Sequence, residues 1–390
     1  MKILLVSLFL PQEKASHAGG RYVFELLRQL SARHEVHLAT RFEEGEKGAL
    51  AELAPLCAAI HAYKYPAIAK RGVLGSLRLI YNYLGFSRSA DWLVQTGDYD
   101  LVQVEWVETA FLIARGKTPM VLDAHDVITK PTQRAFLRAT GPGRLFRFLK
   151  YALVKSVEKG IMRRFDRIFT MSEFDRKFLL ELHPFLPVTT VPIPAGMDLK
   201  PTAYEREKNR LLFLASFKYR QVNVDGALYF YREVLPLIRR EVPEAHLVIA
   251  GYGPPESLTS LAEKDAGVTV TGFVEDTDRE YKTAAVFVAP ILIGGGIIVK
   301  VLDALAAGTP VVTTSFGNEG VGAKPGRDLL VADDPQAFAD AVVALLKDEA
   351  LAERLSGSGR EFVRENYSLD AVMKKVEEAY GELTRKGEWR

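Results

Sequence analysis

The chain has 390 residues, 48% hydrophobic and 26% charged, with a formal net charge of +2. That length exceeds one ordinary core and suits two domains of roughly 150–200 residues, and the near-neutral charge argues against a nucleic-acid binder or an acidic solvating tail. The charge is unevenly spread, with 27 Lys and Arg against 19 Asp and Glu in residues 1–195 and 24 against 30 in the remainder, so the two halves suit different partners.

The opening MKILLVSLFLP begins like a secretory leader. Its apolar run is short, it has no small-residue cleavage site, and it leads into a helical pattern, so residues 2–8 read as a buried first strand. A helix over 19–33 follows, with Tyr22, Leu26, Leu27 and Leu30 at helical spacing. Further strands are expected at 35–40, 100–105, 119–124, 167–171 and 188–192, with helices near 46–56 and 73–95. Apolar strands alternating with amphipathic helices imply a parallel sheet. The Pro-rich PIPAGMDLKP at 192–201 interrupts this pattern and reads as a linker. Strands then recur at 210–216, 246–251, 268–274, 285–290, 309–315 and 328–332, with helices at 224–241, 335–347, 350–365 and 369–387. The fold class expected is α/β, two tandem doubly wound Rossmann-like domains facing a cleft. Their bounds are 1–195, 196–368, and a terminal helix over 369–390 that packs back on the first. The single cysteine, Cys57, leaves no internal disulfide and fits a reducing cytosol. No stretch approaches the roughly 20 apolar residues of a membrane span.

Two segments of the first half are basic. Residues 130–167 carry eleven Lys and Arg against Glu158 and Asp166, with Leu145, Phe148, Leu149, Ala152 and Leu153 on one helical face. Residues 70–89 mix Arg with Tyr and Phe. Basic amphipathic helices favour anionic membrane surfaces; the alternative is a solvated face on a helix packed against the sheet.

The second half contains PILIGGGIIVKVLDALAAGTPVV from Pro290 to Val312. A strand, then Gly294-Gly295-Gly296, then a helix from about Ile297 puts bare backbone N–H groups at a helix N-terminus. An anion can approach them closely, and the dipole adds roughly half a positive charge. Lys300 adds a full charge. Asp303, its neighbour on the helix, is suited to sugar hydroxyls, as acidic residues are for ribose in dinucleotide sites. The pattern suits a nucleoside diphosphate, with a tight turn and a local Lys300–Asp303 ion pair as the structural alternative. Asp276-Thr277-Asp278 has the spacing of a metal-binding DxD, but acidic residues there open a short helix, and no metal is expected.

KVLDALAAGTPVV behind the glycine loop resembles the donor-binding segment of retaining group-1 glycosyltransferases with the GT-B fold. GGRYVFELLRQLSARHEVHLAT, DAHDV, SEFDRKFL, VPIPAGMDL and LLFLASFKYRQVNVDGALYF resemble further segments of that family in the same order, over nearly the full chain. The resemblance implies that Gly19 and Gly20 lie near donor phosphates and acceptor. It implies that His125 faces the donor sugar, its backbone carbonyl stabilising charge at the anomeric carbon, with Asp126 beside it to orient the ring or cap a helix. Lys218 or Arg220 would grip the diphosphate with Lys300, since Ala215-Ser216 stands where many relatives have Gly-Arg. Asp303 matches the second Glu of a Glu-x7-Glu pair, one methylene shorter. Gly295 falls on the first Glu, so backbone N–H groups of Gly295 and Gly296 substitute for it, and Glu319 approaches donor hydroxyls.

The resulting expectation is a retaining, metal-independent transferase. It would use a UDP- or GDP-linked sugar as co-substrate with no other cofactor, and a glycan or lipid-linked acceptor, in cell-surface polysaccharide or glycoconjugate synthesis. It would work in the cytoplasm, peripherally on an anionic inner membrane through 130–167 and 70–89, and would bind no nucleic acid. Two alternatives stay open: a non-catalytic GT-B protein that binds a glycan or partner, and a GT-B sugar-nucleotide epimerase.

Overall fold

The computed structural model describes residues 1–13, 18–65, 73–141, 143–196, 199–293 and 296–387, excluding the side chains of 18, 73–83, 386 and 387. The chain divides into two units, Met1–Ile193 with Met373–Arg390, and Pro194–Val372.

Unit 1 holds seven parallel strands: β1 Lys2–Ser7, β2 Glu35–Phe42, β3 Ala59–Lys64, β4 Leu101–Glu105, β5 Met120–Asp123, β6 Arg167–Thr170 and β7 Val188–Thr190. Their order is β3-β2-β1-β4-β5-β6-β7. The direction of winding reverses between β1 and β4, and in such sheets the loops leaving the strands there form the ligand crevice. The central strands are apolar on both faces, as helix-covered parallel strands must be; Leu4, Val6, Val102, Val104 and Leu122 are fully buried. β3 is an addition to the expected set. It is an edge strand, largely exposed, so it lacks the apolar run that marks its neighbours.

Unit 2 repeats the plan with six parallel strands: β8 Glu207–Leu214, β9 His246–Ala250, β10 Val268–Gly272, β11 Ala284–Ala289, β12 Val311–Thr313 and β13 Leu330–Val331. The order is β10-β9-β8-β11-β12-β13, reversing between β8 and β11. Helix 224–241 of the sequence reading is less uniform than expected. It runs Gln221–Tyr229, widens into a π-helical turn over Phe230–Val234, and resumes at Leu235–Glu241. Pro236 has no N–H to continue the regular ladder, and the wider turn absorbs that loss. Asp276 accepts a hydrogen bond from the Arg279 N–H at 3.2 Å and so caps helix Thr277–Thr283.

The helix Leu369–Gly387 belongs to unit 1 from Met373 onward. Its Tyr380 is fully buried and its hydroxyl donates to the Gln103 side-chain carbonyl on β4. Glu377 meets His34 at 3.1 Å, and Glu382 meets Arg167 at 2.6 Å. Among the described residues no helix is long and apolar enough to cross a membrane.

Candidate functional site

In unit 1 the strand ends beside the winding reversal carry a buried polar cluster. Parallel register sets Glu105, the last residue of β4, opposite Asp123, the last of β5. His125 follows two residues later, and its Nε2 lies 2.7 Å from Glu105 Oε2. The other carboxyl oxygen of Glu105 accepts from Gln103 Nε2 at 2.6 Å. Asp123 accepts from the Tyr22 hydroxyl at 3.1 Å. Trp106 stacks on the His125 ring, centroids 4.2 Å apart and planes 13° apart, and Phe9 meets Trp106 edge-on at 4.9 Å. Trp106 and His125 both have left-handed backbones, with φ of 67° and 51°. For residues bearing a Cβ that conformation costs roughly 1–2 kcal/mol each. Strain of this kind persists where the surroundings over-determine it, and here the stack and the Glu105 bond do so.

Burial dominates the electrostatics. It pushes Glu105 up to about 8. It pushes Asp123 up to about 7, with the nearby Glu105 charge adding to the effect. The same desolvation holds the His125 imidazole below its ordinary value. Near neutral pH the cluster therefore favours uncharged forms. Donor atoms of Glu105, Asp123 and His125 lie within 4.8 Å of one another, the spacing of a potential metal site. Two of those donors are already bonded to each other and the third accepts from Tyr22, so the set reads as an internally satisfied hydrogen-bond network. Asp126 is exposed and its carboxylate makes no hydrogen bond among the described residues; the ring's partner is Glu105. Nor does Asp126 cap the next helix, Thr129–Leu137, where the Ile128 and Thr129 N–H groups donate to the Glu158 carboxylate instead. Gly19 and Gly20 sit inside the first turn of helix Ala18–Ser31 instead of preceding it, and Tyr22 of that turn reaches Asp123.

Unit 2 has a cationic counterpart. Gly294 and Gly295 lie outside the described residues. Gly296 is described, and the helix behind it is Val299–Ala307, starting two residues later than expected. Lys300 is thus in the first turn, and the N-cap residue Ile298 offers no side-chain cap to that start. Its Nζ donates to Asn223 Oδ1 at 2.8 Å and stands 5.2 Å from the Phe213 ring centroid. Burial, and then the neighbouring Arg220 charge, push Lys300 down to about 8. Among the described residues neither Lys300 nor Arg220 makes an ion pair. Asn223, which sequence reasoning missed, is itself fixed by donating from Nδ2 to the Ser216 carbonyl at 2.7 Å.

Lys218 points elsewhere: it is fully exposed and its ammonium donates to the Tyr252 hydroxyl at 3.1 Å. Of the two cations considered for the diphosphate, Arg220 is the one near Lys300. Asp303 forms no ion pair with Lys300; its Oδ1 accepts from the Gly196 N–H at 2.9 Å, tying the linker segment to the helix. Glu319 ends the short helix Ser315–Glu319 instead of lying in a loop. The next residue, Gly320, packs on the glycine loop, where a Cβ would fall 2.2 Å from the Gly296 carbonyl oxygen.

The exposed face of helix Gly143–Met162 carries Leu145, Phe146, Leu149 and Leu153, each more than half exposed, interleaved with Arg144, Arg147 and Lys150. The expected apolar face therefore points to solvent and is not packed on the sheet. Of the second basic stretch, residues 70–72 lie outside the described residues.

Two family models match the chain: Glycosyltransferase Family 4 over residues 19–200 and Glycosyl transferases group 1 over 208–348. The chain is 26% identical over 332 residues to a phosphatidyl-myo-inositol mannosyltransferase of Mycobacterium leprae, covering 80% of each protein. It is 26% identical over 242 residues to an uncharacterized 44.6 kDa protein in the cps region of Klebsiella pneumoniae. That match covers 60% of this chain and 61% of the Klebsiella protein, less than two thirds of its length. Among solved structures, a sucrose-phosphate synthase from Thermosynechococcus elongatus superposes with a TM-score of 0.68 at 17% identity, covering 99% of this chain and all of that one. At that identity the likeness is one of fold.

Proposed function

The chain belongs to the group-1 glycosyltransferases with the two Rossmann-like units of the GT-B fold, and from that premise we propose that it transfers a sugar, with retention and without a metal, from a UDP- or GDP-linked donor to a glycan or lipid-linked acceptor. The observation that carries this proposal is the paired cation site of unit 2. Lys300 lies in the first turn of the helix behind Gly296, close enough to Arg220 to feel its charge, and neither makes an ion pair among the described residues. An anion that accepts several hydrogen bonds satisfies all of these groups at once, and the diphosphate of a nucleotide sugar is such an anion.

In this mechanism the bond between the anomeric carbon and the diphosphate breaks, and a bond from the acceptor hydroxyl forms on the same face. The hydroxyl proton passes to an oxygen of the departing diphosphate. Lys300, Arg220 and the helix amides stabilise the negative charge that develops as the diphosphate leaves, the role fixed donors fill most effectively when water is excluded. No protein nucleophile is required. His125 contributes its backbone carbonyl and ring near the sugar. Asp303, fixed by Gly196, is the group proposed for ribose.

A lipid-linked acceptor is supported by the exposed apolar and basic face of helix Gly143–Met162, which suits an anionic bilayer surface; the mycobacterial relative's name specifies a phosphatidylinositol acceptor for that protein. The deciding experiment incubates the chain with labelled UDP- and GDP-sugars, with and without lipid extract and with excess chelator. Transfer with retained anomeric configuration that survives chelation is expected. A new sugar nucleotide formed without acceptor would make it an epimerase, and neither product would leave a binding protein.

A further inference from the structure

Resting on that reading of His125, we propose that Glu105, itself held by Gln103 and Tyr380, is the positioning residue that fixes the ring and backbone of His125 for sugar transfer. Three links carry this. The Tyr380 hydroxyl donates to Gln103 Oε1; Gln103 Nε2 donates to Glu105 Oε1; and Glu105 Oε2 bonds His125 Nε2. Each of the three supporting residues is fully buried and on a rigid element, β4 or the terminal helix. Gln103 can face only one way in this chain, because its carbonyl is committed to Tyr380 and its amide to Glu105. Glu105 is thereby aimed at the imidazole.

With Nε2 engaged, the remaining ring nitrogen is Nδ1, which makes no hydrogen bond among the described residues. The ring cannot turn away, since Trp106 stacks on one face and Tyr22 meets it edge-on at 5.7 Å. The left-handed φ of His125 then sets the direction of its carbonyl. Other ionisable groups around the imidazole are Asp123 on β5, Tyr22 on the first helix, and the exposed Asp126 and Glu108 on the strand-exit loops. Among the described residues, only Glu105 bonds the ring. The terminal helix thus supports the site directly, from a point 277 residues further along the chain than the strand it touches.

The test compares Glu105→Leu, Glu105→Gln and Tyr380→Phe in the full chain. Removing a buried partner that orients a site residue typically costs about 10–100-fold in activity. Glu105→Leu is expected to lower kcat by about that factor with donor KM within threefold. Glu105→Gln, which keeps an amide facing Nε2, is expected to retain most of kcat, and Tyr380→Phe to lose several-fold. The second readout needs no activity: the nitrogen resonances of the His125 ring, recorded by NMR without donor, should move in Glu105→Leu and Tyr380→Phe. Unchanged kcat and unchanged ring resonances in both would overturn the inference. If Glu105→Leu does not fold, Tyr380→Phe decides by the same two measurements. If the wild-type chain transfers no sugar, the glycosyl-transfer reading fails, and ring resonances indifferent to Glu105 and Tyr380 would separately defeat the positioning claim.

Discussion

The two units place opposite chemistries at equivalent points of the same plan. At the winding reversal of unit 1, two buried carboxyls and an imidazole satisfy one another and favour uncharged forms. At the reversal of unit 2, Lys300 and Arg220 make no ion pair among the described residues, and Lys300 is pushed down to about 8 by burial and then by the Arg220 charge. In the proposed reading the first set, already partnered, holds a shape, and the second, without an ion-pair partner among the described residues, receives an anion. A site's degree of self-satisfaction therefore separates scaffold from binding surface better than its content of ionisable groups does.

The sharpest way to break this contrast is Lys300→Ala. If the cation site receives the diphosphate, UDP or GDP affinity falls roughly 10–100-fold, since a charge-assisted hydrogen bond is worth about 1.5–3 kcal/mol. Uridine and guanosine affinities should not change. Isothermal titration with all four ligands checks this, and equal losses for nucleosides and nucleotides would remove the phosphate assignment.

A milder test uses pH alone. Lys300 accepts an anion best when protonated, and in the unliganded fold it loses its proton near 8. Diphosphate affinity should hold below that value and fall by about tenfold between pH 7 and pH 9, with proton uptake on binding above pH 8. Nucleoside affinity should stay flat. A diphosphate profile equally flat to pH 9 would mean that Lys300 is not at the anion.

The basic helix gives a surface analogue of the same question. Replacing both Phe146 and Leu149 with Glu should weaken binding to anionic vesicles by about tenfold, as measured by flotation, and the wild-type signal should fall as salt rises. Retention on neutral vesicles at high salt would detach the patch from an electrostatic role.

A further effect is expected on stability in unit 1. The folded pKa of Glu105 lies above its unfolded value, so between about 4.5 and 8 the native state binds more protons than the unfolded state. Stability must then fall as pH rises through that window, and the penalty is complete above 8. Glu105→Gln cannot ionise, so denaturant melts should show the variant gaining on wild type from pH 5 to pH 8.5. A constant difference would mean that Glu105 is ionised throughout.

Much of the fold is legible from pattern because parallel strands buried on both faces leave long apolar runs, as in KILLVSL and AAVFVA. β3 escapes because an edge strand needs only one buried face. The strand and the helix that flank the glycines are legible from the apolar runs on either side, although the helix starts at Val299, two residues later than spacing suggests. Glu105 and Gln103 were missed at the level of function, yet a signal was present. In Val102-Gln103-Val104-Glu105, two polar residues interrupt a central strand that has no solvent-facing side, and burying them is costly unless each finds a partner. Besides each other, their partners lie on the loop after β5 and on the last helix, distances in sequence that no local window spans. Asn223 is of the same kind, an ordinary residue in QVNVD until Lys300 is brought beside it.

The return of the terminal helix to unit 1 also bears on how the molecule is made. A nascent chain leaving the ribosome presents the whole of Pro194–Val372 before the residues that complete the first sheet's cover exist. Unit 2 can close as soon as it emerges, whereas Gln103 and its neighbours must wait for Tyr380 and are exposed to chaperones and proteases in the interval. Unit 2 is thus free to finish first, and the helix translated after it seals the unit begun before it.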